Sequence, residues 1–362
     1  MPRPSLPYPV CQPMKTEHLL IIRFSALGDV AMTVPVVASL ARQYPHLRIT
    51  VLSRPAARPL FEGLASNVGF MEADLKGEYH GWTGLNALYR RLAAKNFTAV
   101  ADFHNILRSN YLRMRFNLDR FRVEHIDKHR RERRLLVSHS DKAPARLQSP
   151  FCAYADVLER LGYPVKVEFD SIFPPEGAPL DTIADRTGTK TGRQAWIGIA
   201  PFAAHKGKIY PVALMEQVIA RLTEQYPDDR IFLFGGGKNE RQQIDRWTEA
   251  YPSCTSVPAT LSSLAEELVL MSHLDVMVSM DSANMHLASS VGTRVVSVWG
   301  ATHPRAGFLG WGQHEDDCVG LDLPCRPCSI YGNKPCIHGD YRCLSGIKPE
   351  EIVERIKKHG EK

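Results

Sequence analysis

Two kinds of hydrophobic pattern alternate along this chain. Continuous apolar runs, HLLIIRF at 18–24, RITVLS at 48–53 and FTAVADF at 97–103, are typical of buried strands. Between these runs, apolar residues recur at helical spacing over Val34–Gln43 and Leu85–Lys95. Strands that alternate with helices predict βαβ units and a parallel sheet.

The same alternation starts again after a looser stretch at residues 173–194. Four further apolar runs predict strands: AWIGIAPF, RIFLFGGG, VMVSMD and RVVSVWG. Helical patterns begin near Pro211, Asn239, Leu261 and Ser282. A chain of 362 residues exceeds the roughly 250 to 300 residues at which one core stops growing. We therefore predict two Rossmann-like, doubly wound α/β domains, residues 1–180 and 181–345, that face a central cleft.

The composition, 44% hydrophobic and 23% charged, is that of an ordinary globular protein. The N-terminal stretch is rich in proline, and no apolar run is long enough to cross a bilayer. We therefore expect a cytoplasmic protein whose cysteines are mostly thiols. The net charge of +6 is compatible with an anionic ligand or surface.

Basic residues are concentrated between Arg108 and Arg134. This charge favours a phosphorylated or carboxylated acceptor, or an anionic bilayer surface, and a solvated helix face is the alternative. We do not expect nucleic-acid binding, because neither an interleaved aromatic pattern nor a recognised module accompanies the charge.

The sequence SALGDV follows the first predicted strand and contains a single carboxylate, Asp29. Open α/β sheets present ligand groups at the carboxyl ends of their strands, so Asp29 is expected to face the cleft. Gly28 gives the backbone the freedom that a tight turn needs. The alternative is that Asp29 only begins or caps the next helix.

The strand VMVSMD ends at Asp281, and Ser282, Ala283 and Asn284 open the helix that follows. Unpaired N–H groups at such a helix start form an anion site, to which His286 could add a donor. The alternative is a well-capped helix with a buried histidine.

Two other strand-to-helix loops in the second predicted domain contain candidate binding groups. Lys206 and Lys208 follow AWIGIAPF, where a lysine can neutralise a diphosphate, and a solvated loop lysine is the alternative. The turn FLFGGGKNE contains Gly236 and Glu240, and it permits a close backbone approach to a nucleotide base or ribose.

A cluster of cysteines lies near the end of the chain. Its candidate metal ligands are Cys325, Cys328, Cys336 and Cys343. The CxxC pair followed by two more cysteines favours a structural zinc site, and thiols without a metal are the alternative.

Together these segments resemble glycosyltransferase family 9, the bacterial lipopolysaccharide heptosyltransferases. The resemblance rests on IIRFSALGDVAMTVPVV, DFHNILRS, KIYP and SMDSANMHLASSVGTRVVSVWGATHP, and on the cysteine-bearing tail. It spans about Leu19–Ile356. It implies the GT-B fold, and we expect a C-terminal helix in 346–362 that packs back on the first domain.

The resemblance also implies roles for single residues. Asp29 stands at the position of the catalytic base, and Lys208 at that of the lysine that contacts the diphosphate. The residues expected to bind the donor are Lys208, Asp281, Ser282, Ala283, His286, Gly236 and Glu240. The residues expected on the acceptor side are Arg108, Lys128 and Arg130.

The implied reaction is inverting and requires neither a metal nor another cofactor. Heptose would move from ADP-heptose to the anionic lipid A–Kdo core, on an enzyme bound peripherally to the cytoplasmic face of the inner membrane. Glycine usually stands in the family at the position of Ala283, and small hydroxyl residues often stand near Ala203 and Ala204. Another nucleotide sugar or acceptor is therefore an alternative, and so is a nucleotide-binding or membrane-surface module without turnover.

Overall fold

The computed structural model of the chain describes residues 17–175, 177–192 and 194–357, and its strands form two parallel sheets. The strands are β1 (His18–Ile22), β2 (Arg48–Ser53), β3 (Val68–Glu72), β4 (Ala99–Asp102), β5 (Arg122–His125), β6 (Trp196–Ala200), β7 (Arg230–Leu233), β8 (Cys254–Ser256), β9 (Val276–Met280), β10 (Val295–Val298) and β11 (Cys318–Val319). The α-helices are α1 (Leu27–Ala31), α2 (Val34–Gln43), α3 (Gly81–Ala93), α4 (Leu107–Leu118), α5 (Arg130–Val137), α6 (Pro150–Arg160), α7 (Ala184–Thr187), α8 (Val212–Gln225), α9 (Lys238–Ala250), α10 (Val257–Thr260), α11 (Leu264–Ser272), α12 (Ala283–Ser290), α13 (Arg342–Ser345) and α14 (Pro349–Lys357).

The first sheet has the strand order β3-β2-β1-β4-β5. All five residues of β1 are buried, because helices cover both faces of the sheet. Successive side chains of a strand point to opposite faces, so Leu19 and Ile21 pack with α2 and α6, whereas Leu20 and Ile22 pack with α3 and α4.

The second sheet has the order β11-β10-β9-β6-β7-β8, and all of its strands are parallel. The strand order reverses between β1 and β4 in the first sheet and between β6 and β9 in the second. Ligands of open α/β sheets bind beside the carboxyl ends of the strands at such reversals. The prediction of two doubly wound α/β domains that face a cleft is confirmed, and the cleft is where their ligands are expected.

Asp29 lies in the first turn of the short helix α1, so the turn that the sequence predicted there is helical. The edge strands of both sheets, β3, β5, β8 and β11, were missed. Strands β8 and β11 are only three and two residues long, and exposed or half-buried residues interrupt the apolar runs of β3 and β5.

The C-terminal helix α14 packs on the second domain, not on the first as expected. Its residues Ile352, Val353 and Ile356 are buried in the core of the second domain, and α14 contacts α8 and β10. An ion pair between Arg221 and Glu350 joins α14 to α8. The expectation was wrong because an apolar face predicts that a helix is packed against the protein but does not indicate which domain it contacts.

The predicted boundary between residues 180 and 181 falls in the segment that connects the two sheets. Residues 1–16 and 358–362, which the predicted ranges included, lie outside the described residues. No helix in the described part of the chain is both long and apolar enough to cross a membrane.

Candidate active site

Helices α1 and α12, one from each domain, meet at the floor of the cleft. Gly28 makes the approach possible: a Cβ atom there would lie 3.1 Å from the Cα of Ala283 and 3.0 Å from the Cδ2 of His286. Both distances are shorter than ordinary carbon contacts, so a larger residue would force the helices apart. This contact brings Asp29 of the first domain beside the predicted donor residues of the second.

Asp29 is held by a buried arginine. Nη2 of Arg23 lies 2.7 Å from Oδ2 of Asp29, and the N–H of Ala26 donates to the same oxygen at 3.1 Å. Arg23 is fixed in turn because it donates to the carbonyl oxygen of Phe103 at 2.7 Å. About a third of the Asp29 side chain remains accessible. The carboxylate thus accepts a hydrogen bond at the start of α1 and also lines the cleft, so the alternative in which Asp29 only begins or caps the helix is not supported.

The electrostatic surroundings keep Asp29 ionised. Burial by itself raises the pKa of the carboxyl group, but Arg23, the Ala26 amide and His286 together hold that pKa below its ordinary value. His286 is itself buried, which lowers its pKa to about 4 despite Asp281 and Asp29 nearby. Its Nδ1 is buried and has no hydrogen-bond partner among the described residues.

Lys208 and Asp281 form an ion pair in the wall of the cleft. The Lys208 Nζ lies 2.9 Å from Oδ2 of Asp281, and the two side chains are only 16% and 6% exposed. Lys208 ends the short 3₁₀ turn Lys206–Lys208, whereas Asp281 directly follows β9. The pair therefore joins two loops that lie at the reversal of the second sheet.

The first turn of α12 faces the same cavity. Ser282 precedes this helix, and no described side chain caps its first amides, which leaves these N–H groups available to an anion. The hydroxyl groups of Ser282 and Ser279 lie 3.2 Å apart. The predicted helix start at Ser282, Ala283 and Asn284 is confirmed.

The Glu240 carboxylate caps the start of α9. Its Oε2 accepts hydrogen bonds from the N–H groups of Gly236 at 2.8 Å and Gly237 at 3.2 Å. A Cβ atom at Gly236 would have no atom within 4 Å, so this backbone borders open space.

The predicted donor residues line one cavity of about 590 Å³ together with Asp29. Among its lining residues are Asp29, Lys208, Gly236, Glu240, Asp281, Ser282, Ala283 and His286. Ala203 and Ala204, which were noted as departures from the family, line it as well.

A second cavity of about 230 Å³ adjoins the first and shares Asp29 with it. Its other lining residues include Arg23, Ser25, Ala26, His104, Ile126, Lys128, Arg133, Pro150, Tyr154, Phe308 and Tyr331. Burial, together with Arg23, Arg130 and Arg133, lowers the pKa of Lys128 to about 8. This cavity therefore concentrates positive charge directly beside the Asp29 carboxylate.

Of the three predicted acceptor residues, only Lys128 lines the second cavity. Arg108 and Arg130 are not among the described residues that line either cavity, and Arg133 takes the expected place. Nη1 of Arg133 donates to the hydroxyl oxygen of Tyr331 at 2.6 Å. Spacing alone could not separate the two arginines, because Arg130 and Arg133 are one helical turn apart in α5 and only the orientation of the helix decides which one reaches the cavity.

Sequence reasoning also missed Arg23 and His104. Both stand at the carboxyl ends of apolar strands, where a charged or titratable residue is a signal of function. His104 accepts a hydrogen bond from the Phe24 amide at Nδ1, 3.3 Å away. Its burial, with Arg23 and other cations nearby, lowers its pKa to about 3.

The cysteine cluster lies apart from both cavities. Its four cysteines line one small pocket, but no three or more histidine, cysteine or acidic side chains of the described residues are placed to hold a metal ion. The structure therefore does not support the zinc hypothesis. The seven described cysteines are free thiols, and burial raises the pKa of Cys343 to about 11.

Comparison with known proteins agrees with this architecture. A sequence model described as "Glycosyltransferase family 9 (heptosyltransferase)" matches residues 85–336. The lipopolysaccharide core heptosyltransferase OpsX of Haemophilus influenzae is 24% identical over 302 residues, which cover 81% of this chain and 82% of that protein. Lipooligosaccharide heptosyltransferase 2 of Campylobacter jejuni is 25% identical over 176 residues, 47% of this chain and 52% of that protein.

Two solved structures share the fold. A family 9 glycosyltransferase from Veillonella parvula superposes with a TM-score of 0.70 at 18% identity, and the match covers 96% of this chain and 98% of that one. The E. coli heptosyltransferase WaaC with ADP gives a TM-score of 0.66 at 18% identity, covering 94% and 99%. The chain therefore has the GT-B fold.

We expect Lys208→Met to lower the free energy of unfolding by about 3 kcal/mol, because it leaves the buried Asp281 carboxylate without its cation. Urea denaturation measures the loss. Lys206→Met, at an exposed position of the same turn, is the control and should change stability by less than about 1 kcal/mol. Adding Asp281→Asn to Lys208→Met should restore part of the loss. Equal losses in the two lysine variants would show that the ion pair does not stabilise the fold.

Proposed function

The chain belongs to glycosyltransferase family 9, and we propose that it transfers heptose from ADP-heptose to the lipid A–Kdo inner core of lipopolysaccharide. One observation carries the proposal: Asp29 stands at the junction of a nucleotide-sized cavity and a smaller, basic cavity. A carboxylate in that position can reach both a sugar donor and an acceptor hydroxyl. The heptosyltransferase relatives favour heptose as the sugar and lipopolysaccharide as the acceptor.

In the proposed donor complex, the diphosphate lies against Lys208 and the first turn of α12. The amides of that turn and the lysine ammonium group supply positive charge where the leaving diphosphate gains negative charge. We propose that these groups do so without a metal ion. Asp281 positions the lysine, because the two are already paired at 2.9 Å.

In the proposed reaction, Asp29 removes the proton from the acceptor hydroxyl as its oxygen attacks the anomeric carbon. The bond from that carbon to the diphosphate oxygen breaks, and ADP leaves with the bonding electron pair. Attack from the face opposite the leaving group inverts the configuration. Arg23 keeps the carboxylate ionised and oriented, which general-base catalysis requires.

The acceptor is proposed to bind in the second cavity. Lys128 and Arg133 line it, and Arg23 adds a third cation behind Asp29. Carboxylate or phosphate groups on the acceptor sugar would neutralise this charge, which agrees with an anionic inner core.

We expect Asp29→Asn to lower kcat by a factor of about 10² to 10⁴, because the amide cannot accept the hydroxyl proton. The affinity for ADP should stay within about twofold, since the amide preserves the shape of the site. Transfer is measured with ADP-heptose and a lipid A–Kdo acceptor, and ADP binding by calorimetry. Asp141→Asn, at an exposed position, is the control. A wild-type rate in Asp29→Asn would rule out this residue as the base.

Arg133→Met should raise the KM for the acceptor by about tenfold, because it removes a charge-assisted contact in the second cavity. Steady-state kinetics with varied acceptor measures the change, and KM for the donor should not move. Arg130→Met removes the same charge from the same helix outside the cavity and is the control. Equal effects of the two variants would show that diffuse charge, not this cavity, attracts the acceptor.

We also propose that the protein binds peripherally to the cytoplasmic face of the inner membrane, and one surface of the first domain supports this. Leu107, Tyr111, Met114 and Leu118 follow one another along one side of α4, with exposures of 70% for both leucines and 50% for Met114. The indole of Trp82, 59% exposed, lies 5.3 Å from the Tyr111 ring. We call these five residues the apolar stripe. Exposed basic residues flank it, which is the pattern of a helix that lies on an anionic bilayer.

Replacing both Leu107 and Leu118 by Glu should weaken binding to vesicles that contain phosphatidylglycerol by at least about tenfold, because the stripe then resists burial. Co-sedimentation with these vesicles measures binding. Ile337→Glu, at a position 75% exposed on the second domain, is the matched control. Unchanged sedimentation of the double variant would exclude this face.

A further inference from the structure

The nucleoside end of the large cavity contains an acidic residue to which neither the sequence analysis nor the proposed mechanism gives a role. Glu267 lines the cavity with Leu264, Phe202 and Phe234. We propose that Glu267 hydrogen-bonds the amino edge of the adenine ring of the donor. This inference rests on the proposed function, and it names the residue that selects the nucleotide.

The arrangement of the cavity places the base at this end. Lys208 and the first turn of α12 mark the diphosphate position, and the open backbone at Gly236 borders the space beside it. Aromatic and aliphatic side chains adjoin this glycine turn, because a Cβ atom at Gly235 would lie 3.3 Å from the Phe202 ring, and Leu264 lines the same cavity. A flat heteroaromatic ring buries its faces against such side chains and leaves its edge for a polar group.

Glu267 lies on the correct side of its helix to meet that edge. Leu264 and Glu267 are three residues apart in α11, so they share one face of the helix, and both line the cavity. No described residue forms a hydrogen bond with the Glu267 carboxyl group, whereas the neighbouring Glu266 is paired with Arg186. The Glu267 carboxyl group therefore keeps its hydrogen-bonding capacity for a ligand in the cavity.

Glu240 is not available for the same task. Its carboxylate already accepts two backbone hydrogen bonds at the start of α9, and turning towards the base would break them. The carboxylate of Glu240 therefore already has hydrogen-bond partners within the protein, whereas the carboxyl group of Glu267 can still bond to the ligand.

The chemistry of Glu267 matches adenine. Burial raises the pKa of its carboxyl group, and only Arg241 opposes this effect. The carboxyl group can accept a hydrogen bond in either protonation state. Adenine presents a matching donor on its edge, the exocyclic amino group. Purine riboside lacks this amino group and is otherwise identical to adenosine.

Calorimetric titration of ADP and purine riboside 5′-diphosphate tests the assignment, because the two ligands differ only in the amino group. The wild-type protein should bind ADP about tenfold more tightly than purine riboside 5′-diphosphate. In Glu267→Leu the preference should disappear, mainly because ADP binds more weakly. Glu267→Gln should keep it within about threefold, since the amide oxygen can still accept the hydrogen bond. Glu249→Gln, an exposed carboxylate of α9, is the control for charge.

The outcomes separate this inference from the proposed function. If the wild-type protein does not bind ADP, the proposed donor is wrong whatever the variants do. If it binds ADP and Glu267→Leu retains the preference over purine riboside 5′-diphosphate, or the wild-type protein has no such preference, only the role of Glu267 is wrong. The preference compares two ligands on one protein, so partial misfolding of a variant lowers both affinities and leaves their ratio interpretable.

Discussion

The close packing of α1 against α12 is the constraint on which the site depends. Each helix begins at the strand-order reversal of its own sheet, and Gly28 lets the two backbones approach to carbon contact. A continuous apolar cluster extends from α1 and α2 of the first domain to α11 and α12 of the second. Because packed interiors resist small displacements, this contact fixes Asp29 relative to Lys208 and His286 more firmly than a flexible loop would.

The same contact gathers opposite charges into a small volume, and the protein pairs them within each domain. Arg23 neutralises Asp29 in the first domain, and Lys208 neutralises Asp281 in the second. Burying a charge without its partner is costly, so these pairs allow two carboxylates to lie in the cleft without a ligand. In the proposed mechanism the diphosphate then competes with Asp281 for a lysine that is already in position.

The sequence predicted the fold and the lining of the large cavity better than the lining of the second cavity, for a physical reason. Apolar runs show where strands end, and ligand groups of an α/β sheet follow those ends, which is how Asp29, Lys208 and Asp281 were found. Arg133 and Glu267 lie within helices, where only the orientation of the helix decides whether a side chain reaches the cleft. The packing of α14 on the second domain was missed for a similar reason, because it depends on a contact between elements that are far apart in the sequence.

The second cavity, where the acceptor is proposed to bind, belongs to neither domain alone. Phe308 and Tyr331 come from the second domain, yet they line the cavity whose cations, Lys128 and Arg133, come from the first. Arg133 joins the two sides, because it donates to the Tyr331 hydroxyl and its guanidinium lies 5.2 Å from the centre of the Phe308 ring. Both aromatic residues also line the large cavity. Any change in the angle between the domains therefore alters both cavities together, which links the filling of one site to the shape of the other.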